Sequence, residues 1–200
     1  MITRIVGLDL SLRQTGCAIY QLVDGTPQLK TSVFPEFKKG KVEAPMFEIR
    51  RLRHILITLT GVLNGLSSVP ILPDEKQKTL IVIEGISFGS KGATVDQIAG
   101  MHWLIRYWLH QAGYPFIIVE PTRLKKFVLG KGNAQKDLIL KGVLVAFGLD
   151  LPNSDEADAA ALAYIGLAFC DKYKCTNEAQ RSVIRDLKAA NPHLSQVCHS

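Results

Sequence analysis

Several kinds of sequence feature are scarce in this chain, and each scarcity removes a class of protein. The four cysteines (Cys17, Cys170, Cys175 and Cys198) form no CxxC pair and have no spacing typical of a zinc site. No stretch approaches the run of about 18 apolar residues that a membrane span needs. The N-terminus shows no secretory signal pattern. We therefore expect a cytoplasmic, intracellular protein with reduced thiols and no membrane partner.

The composition of the chain is typical of one globular domain. Hydrophobic residues make up 47% of the 200 residues and charged residues 21%, enough for one well-buried core. The net charge of +6 is compatible with a nucleic-acid partner, although charge alone does not establish one. The predicted division is a domain over residues 1–173 followed by a polar C-terminal tail over 174–200.

The first apolar stretch carries a carboxylate in an unusual place. Residues 5–11 form a nearly continuous apolar run, which suits a strand covered on both faces. Asp9 lies within this run, and a buried carboxylate is costly unless it is paired, hydrogen-bonded or bound to a metal. A turn over 12–16 and a second apolar run over 17–20 predict a hairpin with Asp9 on its central strand. The alternative is that Asp9 only caps the turn.

The rest of the chain predicts a mixed sheet flanked by helices, which is an α/β architecture. The expected strands cover residues 28–34, 79–84 and 114–119, and the expected helices cover 45–66, 94–111, 122–129, 134–147, 152–172 and 178–190. The first three strands should form an antiparallel meander. The strand that ends at Glu84 should be parallel to the first, because helix 45–66 can act as the crossover between them.

Four carboxylates stand out by their positions at strand ends and at a helix start. Asp9 and Glu84 belong to two apolar strands, and Asp155 and Asp158 share one face of a helix at i, i+3 spacing. If these elements neighbour each other, the four side chains converge and repel unless a cation lies among them. Oxygen ligands select magnesium or manganese over zinc, and paired ions of this kind support in-line attack of water on a phosphodiester. The alternative is a solvated capping cluster and a strand end that faces water.

Three segments resemble the motifs of RuvC-type Holliday junction resolvases, a family of the RNase H-like superfamily. They are residues 5–16, residues 81–84 and residues 155–163, and their order and spacing match over roughly residues 4–170. The resemblance implies an RNase H-like fold and a crossover junction endodeoxyribonuclease that cuts branched DNA as a homodimer. It implies two Mg²⁺ ions per active site, with Mn²⁺ as the other candidate. The implied catalytic metal ligands are Asp9, Glu84, Asp155 and Asp158.

The resemblance also extends to two blocks that carry lysines, residues 122–130 and 133–136. In the family, lysines of these blocks approach the scissile phosphate or the DNA backbone. By position Lys136 is the catalytic candidate and Lys125 a candidate DNA contact, with Lys126 and Lys131 as neighbouring candidates. In the glycine-rich loop after Glu84, Phe88 and Lys91 are expected to contact DNA. An exposed Phe88 could act as a wedge between bases, although this chain has the aromatic residue one position later than the family. Solvated lysines and a packing Phe88 are the alternatives.

Three other functions compete with junction resolution. The same carboxylates would serve a broader RNase H-like nuclease that acts on branched DNA or RNA/DNA hybrids. A non-catalytic nucleic-acid-binding module with the same fold is disfavoured, because a protein that no longer cleaves DNA should have lost at least one of the four acidic residues. An actin-like nucleotide-binding protein is disfavoured, because that fold needs a duplicated second half. The aromatic residues Trp103, Tyr107 and Trp108 of helix 94–111 could form the dimer surface or simply fill the core.

Overall fold

One five-stranded sheet organises the chain. A computed structural model describes residues 1–38, 45–64, 76–86, 93–135 and 138–198. The strands are β1 Arg4–Asp9, β2 Gly16–Val23, β3 Thr26–Val33, β4 Thr79–Glu84 and β5 Phe116–Val119. Their order across the sheet is β3-β2-β1-β4-β5, so β1 lies in the centre.

The sheet combines an antiparallel half with a parallel half. β1 pairs antiparallel with β2, and β2 pairs antiparallel with β3. β4 lies parallel to β1 on the other side and pairs in parallel with β5. The predicted meander, the parallel strand that ends at Glu84 and the central place of the first strand are therefore confirmed.

Seven helices flank this sheet in the described part of the chain. They are α1 Met46–Asn64, α2 Ala93–Ala112, α3 Pro121–Leu129, α4 Ile139–Phe147, α5 Ser154–Phe169, α6 Glu178–Ala190 and α7 Pro192–Val197. Among the described residues, none of these helices combines the length and the apolar character needed to cross a membrane. The expected helix start at residue 134 is wrong: after the left-handed Gly130 the chain continues as turn and coil through residue 135.

Successive side chains of each strand point to opposite faces of the sheet, so the core has two layers. In β1, Ile5 packs in the layer that contains α5, whereas Val6 and Leu8 pack in the layer beneath α1 and α2. The same alternation holds in β4, where Val82 faces α5 and Ile83 faces the other layer. Such continuous burial explains why the strands read as nearly unbroken apolar runs.

The helix α5 packs directly on the centre of the sheet. A Cβ added to Gly7 would lie 2.1 Å from the carbonyl oxygen of Ala159, and one added to Gly16 would lie 2.1 Å from that of Asp155. Farther along α5, Gly166 lies against Ile5 of β1. A Cβ added to Gly166 would lie 2.6 Å from the Ile5 side chain. Only glycine leaves room for a helix backbone this close to a strand. The alanine-rich sequence of α5 thus serves close packing on β1 and β2.

The C-terminal helix α6 contributes to the same core. Val183, Ile184 and Leu187 are buried in the layer that contains α5. Asn177 begins the helix by accepting a hydrogen bond from the backbone N–H of Gln180 at 3.0 Å. The division at residue 173 stays a prediction, and the polar character of the last 27 residues reflects the solvent-facing side of an amphipathic helix.

The close contact between α5 and β1 predicts the effect of a single methyl group. Gly7→Ala should lower the free energy of unfolding by at least about 2 kcal/mol, because the backbone of α5 must move away. Thermal unfolding should show this as a fall of roughly 2–4 °C per kcal/mol. Gly61→Ala is the matched control, since residue 61 lies in α1 with open space around it. It should stabilise the protein by up to about 1 kcal/mol, and an equal response of both variants would contradict the packing account.

Candidate active site

The strand alternation determines where two of the predicted carboxylates point. Asp9 shares the face of Ile5 and Gly7 on β1, and Glu84 shares the face of Val82 on β4. Because Leu8 is paired with Ile83, Asp9 and Glu84 come at equivalent positions where the two parallel strands end. Both side chains therefore leave the sheet toward α5 and not toward α1 and α2.

The first turn of α5 is fixed by a reciprocal cap. Asn153 accepts a hydrogen bond from the backbone N–H of Glu156 at 2.9 Å, and its side-chain amide donates to the Glu156 carboxylate at 3.0 Å. Glu156 also accepts a hydrogen bond from the hydroxyl of Thr31 on β3. The carboxylate of Glu156 therefore ties the helix start to the sheet, while Asp158 is presented to the strand ends.

Three carboxylates converge at this point of the fold. Asp9, Glu84 and Asp158 each offer an oxygen atom, and these atoms lie within 4.8 Å of one another. Asp9 is 5% exposed and Asp158 is 1% exposed. Three carboxylates this close, of which two are buried and Glu84 is half-buried, repel each other strongly when ionised unless a cation offsets their charge. An all-oxygen donor set fits a hard divalent ion such as Mg²⁺ or Mn²⁺.

The fourth predicted carboxylate lies at the edge of the same site. Asp155 lines the same cavity as Asp9 and Asp158 but is not one of the three residues whose oxygen atoms lie within 4.8 Å. It is half-buried in the first turn of α5, one turn before the fully buried Asp158. The helix spacing thus brings both side chains to one cavity at different depths.

The carboxylates open into a cavity of about 610 Å³ with charged walls. The β1–β2 turn supplies Leu10 to Arg13, α1 supplies Arg51, α2 supplies Gln97 and His102, and α3 supplies Lys125. Within the turn, the Thr15 hydroxyl donates to the Ser11 carbonyl at 2.9 Å, and the Ser11 hydroxyl accepts from the backbone N–H of Arg13 at 3.2 Å. These bonds hold the segment that follows Asp9.

The other predicted site residues do not all lie at the cavity. Lys125 lines the cavity, whereas Lys126 donates a hydrogen bond to the hydroxyl of Ser182 on α6 at 2.9 Å. Lys131 is exposed and is not among the cavity-lining residues. The remaining three predicted positions lie outside the described residues: Phe88, Lys91 and Lys136.

Sequence reasoning missed several residues of the cavity wall. The cavity is also lined by Arg13, Arg51, Gln97 and His102, and no motif in the sequence predicts a site role for them. The sequence carries one indication of a basic wall, the three arginines Arg50, Arg51 and Arg53 on α1. Helical spacing alone does not determine which of them faces the site.

His102 adds a neutral polar group to this wall. Burial lowers the pKa of His102 to about 4, with a second contribution from the guanidinium of Arg106. The Arg106 side chain donates to Nδ1 of His102 at 3.4 Å. The ring is therefore uncharged at neutral pH and carries its hydrogen on Nε2.

Comparison with known proteins yields two similar sequences and a similar fold. The chain is 29% identical over 171 residues to the crossover junction endodeoxyribonuclease RuvC of Synechococcus sp., a match that covers 82% of this chain and 97% of that protein. It is 25% identical to RuvC of Prochlorococcus marinus with the same coverage. No protein-family model matches the chain.

The structural similarity concerns RuvC as well. The structure of T. thermophilus RuvC in complex with a Holliday junction substrate superposes with a TM-score of 0.58 and 17% identity. This match covers 86% of this chain and 98% of that one. The sequence matches and the shared fold agree with the resemblance carried by the motifs: the chain is similar to RuvC over most of its length and has an RNase H-like fold.

Proposed function

We propose that this chain is a metal-dependent DNA endonuclease that resolves four-way (Holliday) junctions by paired symmetric nicks. The observation that carries the proposal is the convergence of Asp9, Glu84 and Asp158 in one cavity. The RuvC relatives of similar length, which are named as crossover junction endodeoxyribonucleases, support the reaction type. The related structure in complex with a Holliday junction substrate supports the substrate.

The proposed cofactor is a pair of Mg²⁺ ions, with Mn²⁺ as the alternative ion. Asp9, Glu84 and Asp158 would hold them, and Asp155 at the edge of the cavity would complete the set. When bound, such ions activate a water nucleophile and stabilise charge on the phosphodiester oxygens. The geometry supports this role because β1, β4 and α5 fix the carboxylates before substrate arrives.

The basic residues of the cavity would bind the phosphate of the cut strand. Lys125 and Arg13 line the cavity beside the carboxylates. Positive side chains at this place attract the phosphate backbone and stabilise negative charge that grows in the transition state. Lys136 keeps its proposed catalytic role by resemblance, as do Lys91 and Phe88 their proposed DNA contacts.

A homodimer follows from the symmetry of the proposed reaction, because paired nicks need two active sites. Trp103 and Tyr107 of α2 are 66% and 65% exposed, so they offer an aromatic surface to a second copy. Trp108 instead packs against Tyr114, with their ring centroids 6.1 Å apart. We propose that Trp103 and Tyr107 contribute to the dimer surface, whereas Trp108 belongs to the core.

We also propose that the protein acts inside the cell. Its proposed substrate is chromosomal or other intracellular DNA. Its four cysteines are free thiols, and Cys17, Cys170 and Cys198 are buried. Unpaired buried thiols are usual in a reducing compartment.

Metal binding should be visible as a change in stability before any substrate is added. Saturating Mn²⁺ should raise the unfolding temperature of the wild type, since a ligand at 100 times its dissociation constant contributes about 2.7 kcal/mol. Asp158→Asn should lose most of this rise, and it should be more stable than the wild type in EDTA because one buried like charge is gone. Asp150→Asn, an exposed position outside the cavity, is the control and should behave as the wild type. An undiminished Mn²⁺ response in Asp158→Asn would contradict the metal site.

Loss of one carboxylate should separate cleavage from binding. Asp9→Asn should cut a synthetic four-way junction at least about 100-fold more slowly in Mg²⁺, because the metal ligands are incomplete. Its affinity for the junction in EDTA should stay close to that of the wild type, because the basic residues remain. Cleavage assays on end-labelled junctions and electrophoretic binding assays measure the two effects. Wild-type cleavage by Asp9→Asn would remove this residue from the mechanism.

The two neighbouring lysines of α3 should respond differently to substitution. Lys125→Ala should slow junction cleavage about 10-fold or more with little change in stability, because its side chain lines the cavity. Lys126→Ala should mainly lower the unfolding temperature, because it removes the hydrogen bond from α3 to Ser182 on α6. Comparing cleavage rates and thermal melts of the two variants tests this division. The reverse pattern would assign the DNA contact to Lys126.

A further inference from the structure

Arg51 is a largely buried arginine that lines the cavity of the three carboxylates. It belongs to α1 and reaches the cavity that contains Asp9, Glu84 and Asp158. Its side chain is only 14% exposed. Burying a guanidinium is costly unless it is paired, and Arg51 forms an ion pair with Glu48.

Contacts on one side of the guanidinium hold it in this position. Nη2 of Arg51 donates to the carboxylate of Glu48, one turn earlier in α1, and to the side-chain oxygen of Gln97 on α2 at 3.0 Å. The guanidinium carbon also lies 5.3 Å from the ring centroid of Phe47. Gln97 lines the cavity too. The side chain is therefore oriented by both helices through a single nitrogen atom.

The rest of the guanidinium keeps unused hydrogen-bond donors. Nε of Arg51 is buried, and no group among the described residues accepts its hydrogen. A guanidinium has five N–H donors in a rigid plane. A buried donor without an acceptor is unfavourable in the free protein, and a shift of the side chain toward an acceptor in the cavity would satisfy it.

We propose that Arg51 binds a non-bridging phosphate oxygen of the DNA strand that enters the cavity. This inference rests on the proposed function, because it takes the ligand to be a nucleic-acid strand. Guanidinium matches phosphate in charge and in planar donor geometry, and lysine does so less well. The carboxylates of the same cavity would repel this phosphate without a compensating cation. Arg51 adds a cation from α1 to those that Arg13 and Lys125 supply in the same cavity.

The test compares Arg51 with two arginines of the same helix. Arg50 and Arg53 are exposed and do not line the cavity, so Arg50→Gln and Arg53→Gln remove the same charge without touching the site. Junction binding is measured in EDTA at several salt concentrations, and single-turnover cleavage is measured in Mg²⁺. For Arg51→Gln, the loss in junction affinity multiplied by the loss in cleavage rate should be about 10- to 100-fold. It should also reduce the slope of log affinity against log salt by about 1 relative to both controls.

Two further variants separate a phosphate contact from a structural role. Glu48→Gln and Gln97→Ala weaken the anchoring of Arg51 but leave its charge in the cavity. If Arg51 contacts phosphate, these variants should keep most of the salt slope, whatever their effect on the unfolding temperature. If Arg51 only joins α1 to α2, losses of binding should follow losses of stability across all the variants, and that pattern overturns the proposal. Should Arg51→Gln melt below the assay temperature, Arg51→Lys takes its place and should bind more weakly than the wild type.

Failure of this inference is distinguishable from failure of the proposed function. If the wild type cleaves the junction but Arg51→Gln behaves as the Arg50 and Arg53 controls do, only the role of Arg51 is overturned. Absence of wild-type cleavage on every DNA substrate would overturn the proposed function. The binding measurements in EDTA would still report whether Arg51 contacts a phosphate.

Discussion

The structure depends on the direct packing of one helix backbone on the central hairpin of the sheet. Gly7 and Gly16 leave no side chain between β1, β2 and α5, so the carbonyl groups of the helix lie almost against the strands. This close approach sets the distance from Asp158 to Asp9, because both belong to the elements in contact. A helix held away by ordinary side chains would carry its carboxylate several ångströms from the strand ends.

The three clustered carboxylates account for the basic residues on the other walls of the cavity. Three carboxylates whose oxygen atoms lie within 4.8 Å of one another are tolerable when a divalent ion shares them, and such an ion would draw phosphate into the same space. That phosphate would need cations from the protein, and the cavity offers them on separate elements: the β1–β2 turn, α1 and α3. The cavity thus places acidic groups on one set of elements and basic groups on another. This division matches a reaction in which metal and phosphate meet.

Much of this architecture could be predicted from the amino-acid sequence because several independent signals agree. The apolar strands, the amphipathic helices and the order of the elements gave the mixed sheet, and the acidic residues inside apolar strands marked the site. The sequence could not show which face of each strand carries Asp9 and Glu84, because strands buried on both sides lack a polar alternation. Register and the position of α5 decide that question, and both depend on contacts between distant segments.

The errors and omissions have equally local causes. The lysines of α3 are adjacent in sequence, yet one faces the cavity and the other contacts Ser182, a residue 56 positions away. The C-terminal segment contains the expected helix over 178–190, but its overall polar composition did not show that the apolar side of this helix is buried in the core. Arg51 could not be told from Arg50 and Arg53, since only the packing of α1 against α2 decides which of them points inward.

The most direct test of this account is a crystal structure with Mn²⁺, located by its anomalous scattering. The account predicts a peak coordinated by oxygen atoms of Asp9, Glu84 and Asp158, and loss of that peak in crystals of Asp158→Asn. A second peak beside it would support the paired-ion mechanism. No peak among these three carboxylates at saturating Mn²⁺, in crystals that diffract well enough to show the ion elsewhere, would contradict the central claim.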